Sequence, residues 1–284
     1  MDINIIKADK NLFAIYQTMY SNVDMEMWYD WDRRLKDTTW TEQCYFLILD
    51  GKKIGGAVIT DDAILYPFLI SPFCDRVQFW NYLLKLSSRK KITGVLDADS
   101  SILPMFAYKA IYTYRLMCRP SEIIDISLPN GFICRPLNMD SDAAGFSNVY
   151  VESHTGGLCF EIFGEETHEE AVAEANRVLA IYSAKDMSIV IFEQATGQIV
   201  AACTAGIAKD HALGFAEIAD IVVLPKYSGR GIGKYMISHI ITQAYGIAPF
   251  VKLGAHMGNP SEYLYYQMGF VAGPRFTNME QRKQ

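Results

Sequence analysis

The stretch AEIADIVVLPKYSGRGIGKYM, from Ala216 to Met236, is an apolar run that breaks at Pro225 and gives way to glycines at every second position. The three glycines are Gly229, Gly231 and Gly233. Glycine allows backbone angles and a close approach that a side chain would block. The apolar run is typical of a strand, and a helical pattern that includes Lys234 follows the glycines. Because the N–H groups and the dipole at a helix start favour an anion, the stretch predicts a pyrophosphate-binding loop.

Composition bounds what the rest of the chain can be. The 284 residues carry a net charge of −6 and are 50% apolar, which is enough for two domains with cores of their own. No block rich in Lys and Arg occurs in the sequence, so a nucleic-acid partner is not expected. The six cysteines are scattered without a CxxC spacing, which argues against a disulfide framework and against a zinc site, and favours a reducing cytoplasm.

The sequence also gives no reason to expect a membrane protein. The N-terminal segment MDINIIKADK carries charges where a signal peptide needs an apolar core. The longest uncharged run, Tyr235 to Val251, falls short of the roughly 20 apolar residues that cross a bilayer. We therefore expect a cytoplasmic protein without a membrane partner and without a metal.

The predicted elements of the first half begin with a strand and two helices, at Asn11–Tyr20 and Glu26–Lys36. A hairpin around the turn Asp50-Gly51 and a third strand that ends at Pro72 follow. A helix, a strand at Ile92–Leu96, a helix around Leu103–Lys109 and a last strand complete this half.

The same order begins again after Asp125–Gly131, which is the best linker candidate. As in the first half, a hairpin is followed by a third strand, and this strand ends at Pro225, 153 positions after Pro72 (225 − 72). PMFAYKAIY at 104–112 is also similar to EYLYYQMGF at 262–270. The repetition predicts a duplicated α/β fold with one domain at 1–125 and another at 131–284.

The segment from Val223 to Gly233, followed by Asn259 and by LYYQMGF at 264–270, resembles the GNAT superfamily of acyl-CoA N-acyltransferases. The family loop motif is Arg or Gln, two residues, Gly, one residue, then Gly or Ala, and here Ser228 stands at the leading position. This departure is mild because the motif works mainly through backbone amides. The similarity covers residues 131 to 275. It implies two tandem GNAT-like domains, each a mixed, mainly antiparallel twisted sheet flanked by helices.

The first copy departs from the family pattern where the glycine loop should be. It has FCDRVQFW at 73–80, which contains no glycine and places Asp75 where a pyrophosphate would lie. We therefore expect a degenerate domain that serves as a scaffold, as a wall of the substrate site or as the surface of a homodimer. This predicts one active site in each chain, in the second half.

The resemblance implies acetyl-CoA as the cosubstrate and assigns residues to it. The implied coenzyme-binding residues are Ile221, Val222, Val223, Ser228, Gly229, Arg230, Gly231, Ile232, Gly233, Lys234, Asn259 and Tyr265. In the family the strand before the loop binds the pantetheine arm through its backbone, so its side chains can still fill the core. Asn259 also has the alternative role of capping its own helix.

Direct transfer to an amine needs a base for the ammonium proton and an acid for the departing thiolate. Glu217 aligns with the family's strand-borne glutamate base, and Asp220 and His256 are substitutes. Because Asp220 follows Glu217 by three residues, a regular strand would point the two carboxylates to opposite faces. Tyr265 aligns with the family's tyrosine acid, whose pKa we expect to be lowered locally. The spacing from Asn259 is one residue short of the usual one, so Tyr266 stays a rival.

Charge gives the only indication of the acceptor. Residues 131 to 284 contain 11 Lys and Arg against 16 Asp and Glu. Five acids cluster between the first two helices of this half, at Glu161, Glu165, Glu166, Glu169 and Glu170. They either attract a cationic amine or form a solvated loop and helix start.

The sequence therefore predicts an acetyl-CoA-dependent N-acetyltransferase that acts on a primary amine of a small molecule or peptide. One alternative is a non-catalytic acyl-CoA sensor or scaffold protein. Another is a nucleotide-phosphate binder that uses the same loop, although the GxxxxGK[ST] spacing is missing.

Overall fold

The structure is a computed structural model that describes residues 2–20, 41–181, 187–207 and 215–282. The predicted helix Glu26–Lys36 lies outside these residues. The chain forms two compact units. Unit 1 consists of Met1–Leu116 and Ala272–Gln284, and unit 2 consists of Met117–Val271.

Unit 1 is built around a mixed sheet. Its strands are β1 (Ile3–Lys7), β2 (Cys44–Leu49), β3 (Lys52–Ile59), β4 (Ala63–Leu69), β5 (Lys91–Leu96), most of β6 (Tyr108–Pro120) and nearly all of β12 (Val271–Gln281). Its helices are α1 (Lys10–Tyr20), α2 (Arg76–Leu86) and the short α3 (Asp97–Ser100). The strands from β1 to β4 pair in antiparallel order, β4 and β5 are parallel, and β12 is antiparallel to β5. Aromatic side chains such as Phe79 and Trp80 fill its core.

Unit 2 has the same kind of architecture. Its strands are β7 (Phe132–Pro136), β8 (Ile189–Glu193), β9 (Ile199–Ile207), β10 (Ala216–Val223) and β11 (Phe250–His256). Its helices are α4 (Met139–His154), α5 (Leu158–Phe163), α6 (His168–Ile181), α7 (Ile232–Ala244) and α8 (Ser261–Gln267). The strand order is β7-β8-β9-β10-β11, with only β10 and β11 parallel among these described neighbours. The mixed, mainly antiparallel α/β class is therefore confirmed.

The two units repeat one local geometry. In unit 1 the parallel pair runs from Ala63 opposite Lys91 to Leu65 opposite Thr93. In unit 2 it runs from Ala216 opposite Val251 to Ile218 opposite Leu253. Each pair covers three residues. The first strands are offset by 153 positions (216 − 63), the same offset as between the two prolines.

A bulge occurs at the same place in both copies. Three steps along β4, from Leu65 to Phe68, match two steps along β3. Three steps along β10, from Ile218 to Ile221, likewise match two steps along β9. An inserted residue of this kind bends the strand and shifts its alternation. The repeated bulge supports the predicted duplication.

Two parts of the fold differ from the predicted elements. The contacts of Ala272–Gln284 place this segment in unit 1 rather than with residues 131–284, because β12 pairs with β5 there. In place of the predicted helix Leu103–Lys109 the structure has a short 3-10 helix, Leu103–Phe106, and the φ of 64° at the next residue, Ala107, is incompatible with helix continuation. Strand β6 then starts at Tyr108.

Candidate active site

The glycine loop joins β10 to α7 through one 3-10 turn, Pro225–Tyr227. Gly229 and Gly231 have φ values of 75° and 84°, in the region that favours glycine. Gly231 is the N-cap of α7, and no described side chain accepts a hydrogen bond at this cap. A β-carbon on Gly229 would meet no described atom within 4 Å. The loop thus presents backbone N–H groups at an open helix start, which is the geometry that binds phosphate oxygens.

A cleft of about 710 Å³ lies against this loop. All the predicted coenzyme residues except Arg230 line it, namely Ile221, Val222, Val223, Ser228, Gly229, Gly231, Ile232, Gly233, Lys234, Asn259 and Tyr265. The guanidinium of Arg230 instead lies 5.0 Å from the ring centre of Tyr227. The amine of Lys226 lies 4.9 Å from the same ring. The loop therefore carries two cations beside the cleft and a third, Lys234, in its lining.

Strand β10 offers its backbone to the cleft at its C-terminal end. Its parallel pairing with β11 covers Ala216 to Ile218, whereas its antiparallel pairing with β9 continues to Val223. The strand is thus held on one side while Ile221–Val223 line the cleft. An extended ligand with amide groups, such as a pantetheine arm, fits this arrangement because it can hydrogen-bond as an added strand would.

The two tyrosine candidates lie in different surroundings. Tyr265 is buried and lines the cleft, whereas Tyr266 is 45% exposed and its hydroxyl lies 3.5 Å from Glu262. Burial is the main cause that raises the pKa of Tyr265 to about 12, with a hydrogen bond to Ser261 acting in the opposite direction. The expectation of a lowered pKa was therefore wrong. A phenol of this kind stays protonated and can donate a hydrogen bond to a developing thiolate.

Asn259 combines the two roles that the sequence left open. Its Oδ1 accepts a hydrogen bond from the N–H of Ser261 at 2.9 Å, at the start of α8. The residue also lines the cleft. Because Oδ1 is occupied by the helix start, the amide nitrogen is the group that remains for a ligand.

The carboxylates of β10 are held by partners on the neighbouring strands. Glu217 Oε2 lies 3.2 Å from Nζ of Lys252, which stands directly opposite on β11. Asp220 Oδ2 accepts a hydrogen bond from Thr204 at 3.1 Å. The bulge between Ile218 and Asp220 adds one residue to the strand. The assumption of regular alternation, which placed the two carboxylates on opposite faces, is therefore wrong.

Asp220 lies in an acidic environment. Burial is the first cause that raises its pKa to about 6, and the carboxylates of Glu174 and Glu166 raise it further. The hydrogen bond from Thr204 and the nearby His154 act in the opposite direction. Asp220 therefore binds a proton at a higher pH than an ordinary aspartate does.

A pair that the sequence reasoning missed stands at the end of α4. His154 Nδ1 lies 2.6 Å from Oε2 of Glu166, and the imidazole packs edge-on against Tyr150 with ring centres 4.4 Å apart. His154 lines the cleft. Glu166 and Tyr150 line a second cavity of about 680 Å³. The only sequence indication was an acidic loop a short distance after a histidine.

The second cavity is strongly acidic. Its lining includes Glu165, Glu166, Glu170 and Glu174, with Tyr150, Phe163 and Arg177 beside them. Of the predicted acidic cluster, Glu165, Glu166 and Glu170 belong to this lining. His256, the third base candidate, lies 5.4 Å from the ring centre of Phe163, and burial lowers its pKa. Glu217, Asp220 and His256 belong to the lining of neither described cavity.

The described part of the chain contains neither a metal-binding cluster nor a membrane-spanning helix. Its His, Cys, Asp and Glu side chains form no group of three or more that could hold a metal ion. None of its helices has the length and apolar character needed to cross a membrane.

Comparison with known proteins agrees with this geometry. Residues 185–272 match the family model of the acetyltransferase (GNAT) domain. Among curated proteins, no match was found. The structure is similar to a GCN5-related N-acetyltransferase from Sphaerobacter thermophilus, with a TM-score of 0.67, 14% identity, and coverage of 99% of this chain and 96% of the other.

Two more solved structures cover the whole length. A GNAT-family acetyltransferase from Colwellia psychrerythraea has a TM-score of 0.60 and 11% identity, and covers 99% of this chain and 100% of the other. A tandem GNAT protein from the clavulanic acid biosynthesis pathway has a TM-score of 0.57 and 10% identity, with both chains fully covered. At identities this low, the similarity shows only that the chain has the fold of the GNAT proteins. One of these similar structures is a tandem GNAT protein.

Proposed function

We propose that this chain, in which residues 185–272 match the GNAT acetyltransferase domain, transfers an acetyl group from acetyl-CoA directly to a primary amine. The observation that carries the proposal is the composition of one cleft. It brings together an open glycine loop at a helix start, the backbone of Ile221–Val223 and the buried phenol of Tyr265. These groups suit a diphosphate, an extended amide chain and a thioester in turn.

The loop would hold the diphosphate of the coenzyme. The N–H groups that follow Gly231 supply hydrogen-bond donors, and the dipole of α7 adds a favourable field. Lys226, Arg230 and Lys234 add positive charge around the same loop. Asn259 can contact the coenzyme through Nδ2, because its Oδ1 already accepts a hydrogen bond from the start of α8.

The acceptor would be an amine that is cationic in solution. The second cavity contains four glutamates and two aromatic rings, and all four glutamates precede or belong to α6. The glutamates attract a cation electrostatically, and the aromatic rings can contact it through their faces. A substrate with a second ammonium group would gain most, because one charge could stay in the cavity while the other amine reacts.

The chemistry requires two proton transfers. The ammonium loses a proton, its nitrogen lone pair forms a bond to the thioester carbon, and the C–S bond breaks. The sulfur leaves with the electron pair, and the second proton of the acylated nitrogen is transferred to it, which gives the amide and CoA. Tyr265 is assigned to stabilise that sulfur by hydrogen bonding, since its phenol is protonated throughout the physiological pH range.

A reducing compartment suits the chain, because all six cysteines are free thiols in the structure. The cytoplasm is the location that we infer from this. The first unit is assigned a scaffolding role, since the counterpart of its glycine loop contains Asp75, whose side chain caps α2 by accepting a hydrogen bond from the N–H of Gln78.

The decisive test is CoA release with a panel of amines. The wild-type chain is incubated with acetyl-CoA and with diamines, polyamines, aminoglycosides, amino acids or lysine peptides, and free thiol and acetylated product are measured. We expect release with at least one cationic acceptor. Coenzyme binding without release from any acceptor would favour the sensor or scaffold alternative. Binding of ATP but not of acetyl-CoA in calorimetry would favour the nucleotide-binding alternative.

A further inference from the structure

We infer that His154, oriented by Glu166, is the base that takes the proton from the acceptor ammonium. This inference rests on the proposed function and names a residue for its first proton transfer. The supporting observation is the position of the two residues. His154 lines the coenzyme cleft, and Glu166, which contacts it, lines the acidic cavity.

Two contacts fix the imidazole. Glu166 Oε2 lies 2.6 Å from Nδ1, and the ring stands edge-on to Tyr150 at an interplanar angle of 78°. A carboxylate at Nδ1 selects the tautomer in which this nitrogen carries the hydrogen, and leaves Nε2 as the acceptor. The imidazole is therefore oriented in the way that a general base requires.

Carboxylates place negative charge around the imidazole of His154. Glu166 provides a direct countercharge, and Asp220 interacts electrostatically with both members of the pair. Glu174 adds a third carboxylate to this region, and it also belongs to the lining of the acidic cavity. The same charges attract the substrate ammonium, so substrate and base are brought to one place.

His154 takes part in the first of the two proton transfers. The N–H bond of the ammonium breaks, its electron pair stays on the substrate nitrogen, and the proton binds Nε2 of His154. The resulting neutral amine attacks the thioester carbon, and the C–S bond breaks with its electron pair left on sulfur. The acylated nitrogen then loses its second proton, which is transferred to that thiolate and gives the amide and CoA. The Glu166 carboxylate is the countercharge of the imidazolium. After release of CoA the imidazolium returns its proton to solvent through the cleft, and the base is restored.

The three residues that the sequence suggested as the base are placed less favourably than His154. Glu217 is held by Lys252 at 3.2 Å, and Asp220 accepts a hydrogen bond from Thr204. Neither residue belongs to the lining of the two described cavities, and the same is true of His256. His154 lines the cleft that is proposed for the coenzyme, and its partner Glu166 lines the acidic cavity.

The test compares His154→Asn with the matched control His168→Asn. Asparagine keeps an N–H donor near the position of Nδ1 for Glu166 but has no basic nitrogen. His168 contacts Ser147 at 3.2 Å and belongs to neither cavity lining. We expect His154→Asn to lower kcat about 100-fold or more, with acetyl-CoA affinity unchanged, because a general base contributes roughly 10²–10⁴-fold. We expect His168→Asn to stay within about threefold of wild type.

An acceptor with an uncharged amino group separates a base from a structural residue. An alkoxyamine is neutral near pH 7 and needs no prior deprotonation, so its acetylation by His154→Asn should fall less than about 10-fold. Glu166→Gln, which changes a positioning residue, should lower kcat for the cationic acceptor about 10-fold while KM changes less. An equal loss with both acceptors would overturn the assignment.

Other outcomes are equally decisive. The inference would be overturned if Glu217→Gln or Asp220→Asn lowered kcat 100-fold or more while His154→Asn stayed within about threefold of wild type. The role of the base would then belong to that carboxylate. If wild type acetylates no amine, the proposed function itself fails. If wild type is active and His154→Asn is equally active, only the assignment of the base fails.

Discussion

The ring of Tyr66 lies directly against the α-carbon of Gly94, so that a β-carbon on Gly94 would overlap with the ring atoms Cδ1, Cε1 and Cγ. The two residues follow the last paired residues of β4 and β5, at the point where the parallel pairing ends. The Tyr66 hydroxyl is hydrogen-bonded to that of Tyr114 at 3.0 Å, and its ring packs edge-on against Phe276. The gap after the parallel pair of unit 1 is therefore filled by the protein itself.

The equivalent position in unit 2 carries a much smaller side chain. Ala219 follows Ile218, the last β10 residue of that parallel pair, as Tyr66 follows Leu65 in unit 1. Asp220 likewise corresponds to Pro67, so unit 1 lacks that carboxylate. The space after the parallel strand pair is therefore filled by a tyrosine ring in unit 1, whereas the matching residue in unit 2 is an alanine.

Replacing Gly94 with alanine should destabilise the chain by about 3 kcal/mol. The residue has a φ of 71°, which costs roughly 1–2 kcal/mol for alanine, and the overlap with Tyr66 adds an overpacking cost of about 1–3 kcal/mol. Gly51→Ala is the matched control, since φ is 78° and no described atom lies within 4 Å of the added carbon. It should cost about 1 kcal/mol. Urea denaturation measures both, and equal losses would show that Tyr66 does not confine this position.

One molecule of acetyl-CoA should bind to each chain. Titration calorimetry of the wild type should give a stoichiometry near one, and Gly231→Glu should weaken binding by about 100-fold or more because it places a bulky anion in the phosphate loop. Gly246→Glu, at a φ of 81° beyond the other end of α7, imposes similar backbone strain outside the cleft. It should bind normally. A stoichiometry of two would mean that unit 1 retains a site.

Much of this architecture could be predicted because local sequence patterns determine it. The alternation of apolar residues and the Asp50-Gly51 turn located the hairpin, and the strand predicted at Ile92–Leu96 differs by one residue from β5, Lys91–Leu96. The glycine loop was visible because the required backbone angles leave few other residues possible. Helix α5 was missed, since it has only six residues and lies between two loops.

The pair at the end of α4 could not be predicted for a different reason. A histidine in the last turn of a helix is also explained by the helix dipole, so its type alone does not indicate chemistry. Its contact with Glu166 depends on the path of the chain around α5, which turns at Gly156 and Gly164 with positive φ. The bulge at Ala219 was hidden as well, because an inserted residue leaves the strand's composition unchanged.

The acidic cavity predicts selective effects on cationic acceptors. Glu170→Gln and Glu174→Gln each remove one negative charge from the cavity lining and should raise KM for a diamine about 3- to 10-fold, because each weakens the field that attracts a cation. Glu169→Gln, the neighbour outside that lining, is the control and should change KM less than twofold. Initial rates at two salt concentrations measure this. Equal effects of all three would indicate a general field rather than a site.

The Arg135 and Asp142 pair should make stability depend on pH. Burial of Asp142 raises its pKa, but hydrogen bonds from Arg135, at 2.6 and 2.7 Å, and from Asn138 lower it by more, so the folded pKa is depressed. The stabilisation is then present at neutral pH and is lost as the pH falls through the folded pKa. Asp142→Asn should cost about 2 kcal/mol at pH 7, a value reduced because Arg135 is 40% exposed.

Asp140→Asn is the control for that prediction, because its side chain is exposed in the same first turn of α4. It should change the free energy of unfolding by less than about 0.5 kcal/mol. Denaturation at several pH values should show the wild type converging on Asp142→Asn in acid. A constant difference at all pH values would mean that the carboxylate acts through shape alone.

Tyr265→Phe should lower kcat about 10-fold without changing acetyl-CoA affinity. The phenol is assigned to the sulfur that becomes charged as the C–S bond breaks, and a hydrogen bond to a charged group contributes about 1.5–3 kcal/mol. Tyr266→Phe is the matched control, because Tyr266 is exposed and does not line the cleft, and it should stay within about twofold of wild type.

The pH dependence of that difference tests how Tyr265 acts. Burial raises the pKa of its phenol to about 12, so the group keeps its proton throughout the usual assay range. The ratio of kcat between wild type and Tyr265→Phe should therefore be constant from about pH 6 to pH 10. A phenol with a lowered pKa would ionise within this range, and the advantage of the wild type would disappear as the pH rises. A ratio that falls above about pH 8 would thus contradict the raised pKa and restore the phenol as a full proton donor to the thiolate.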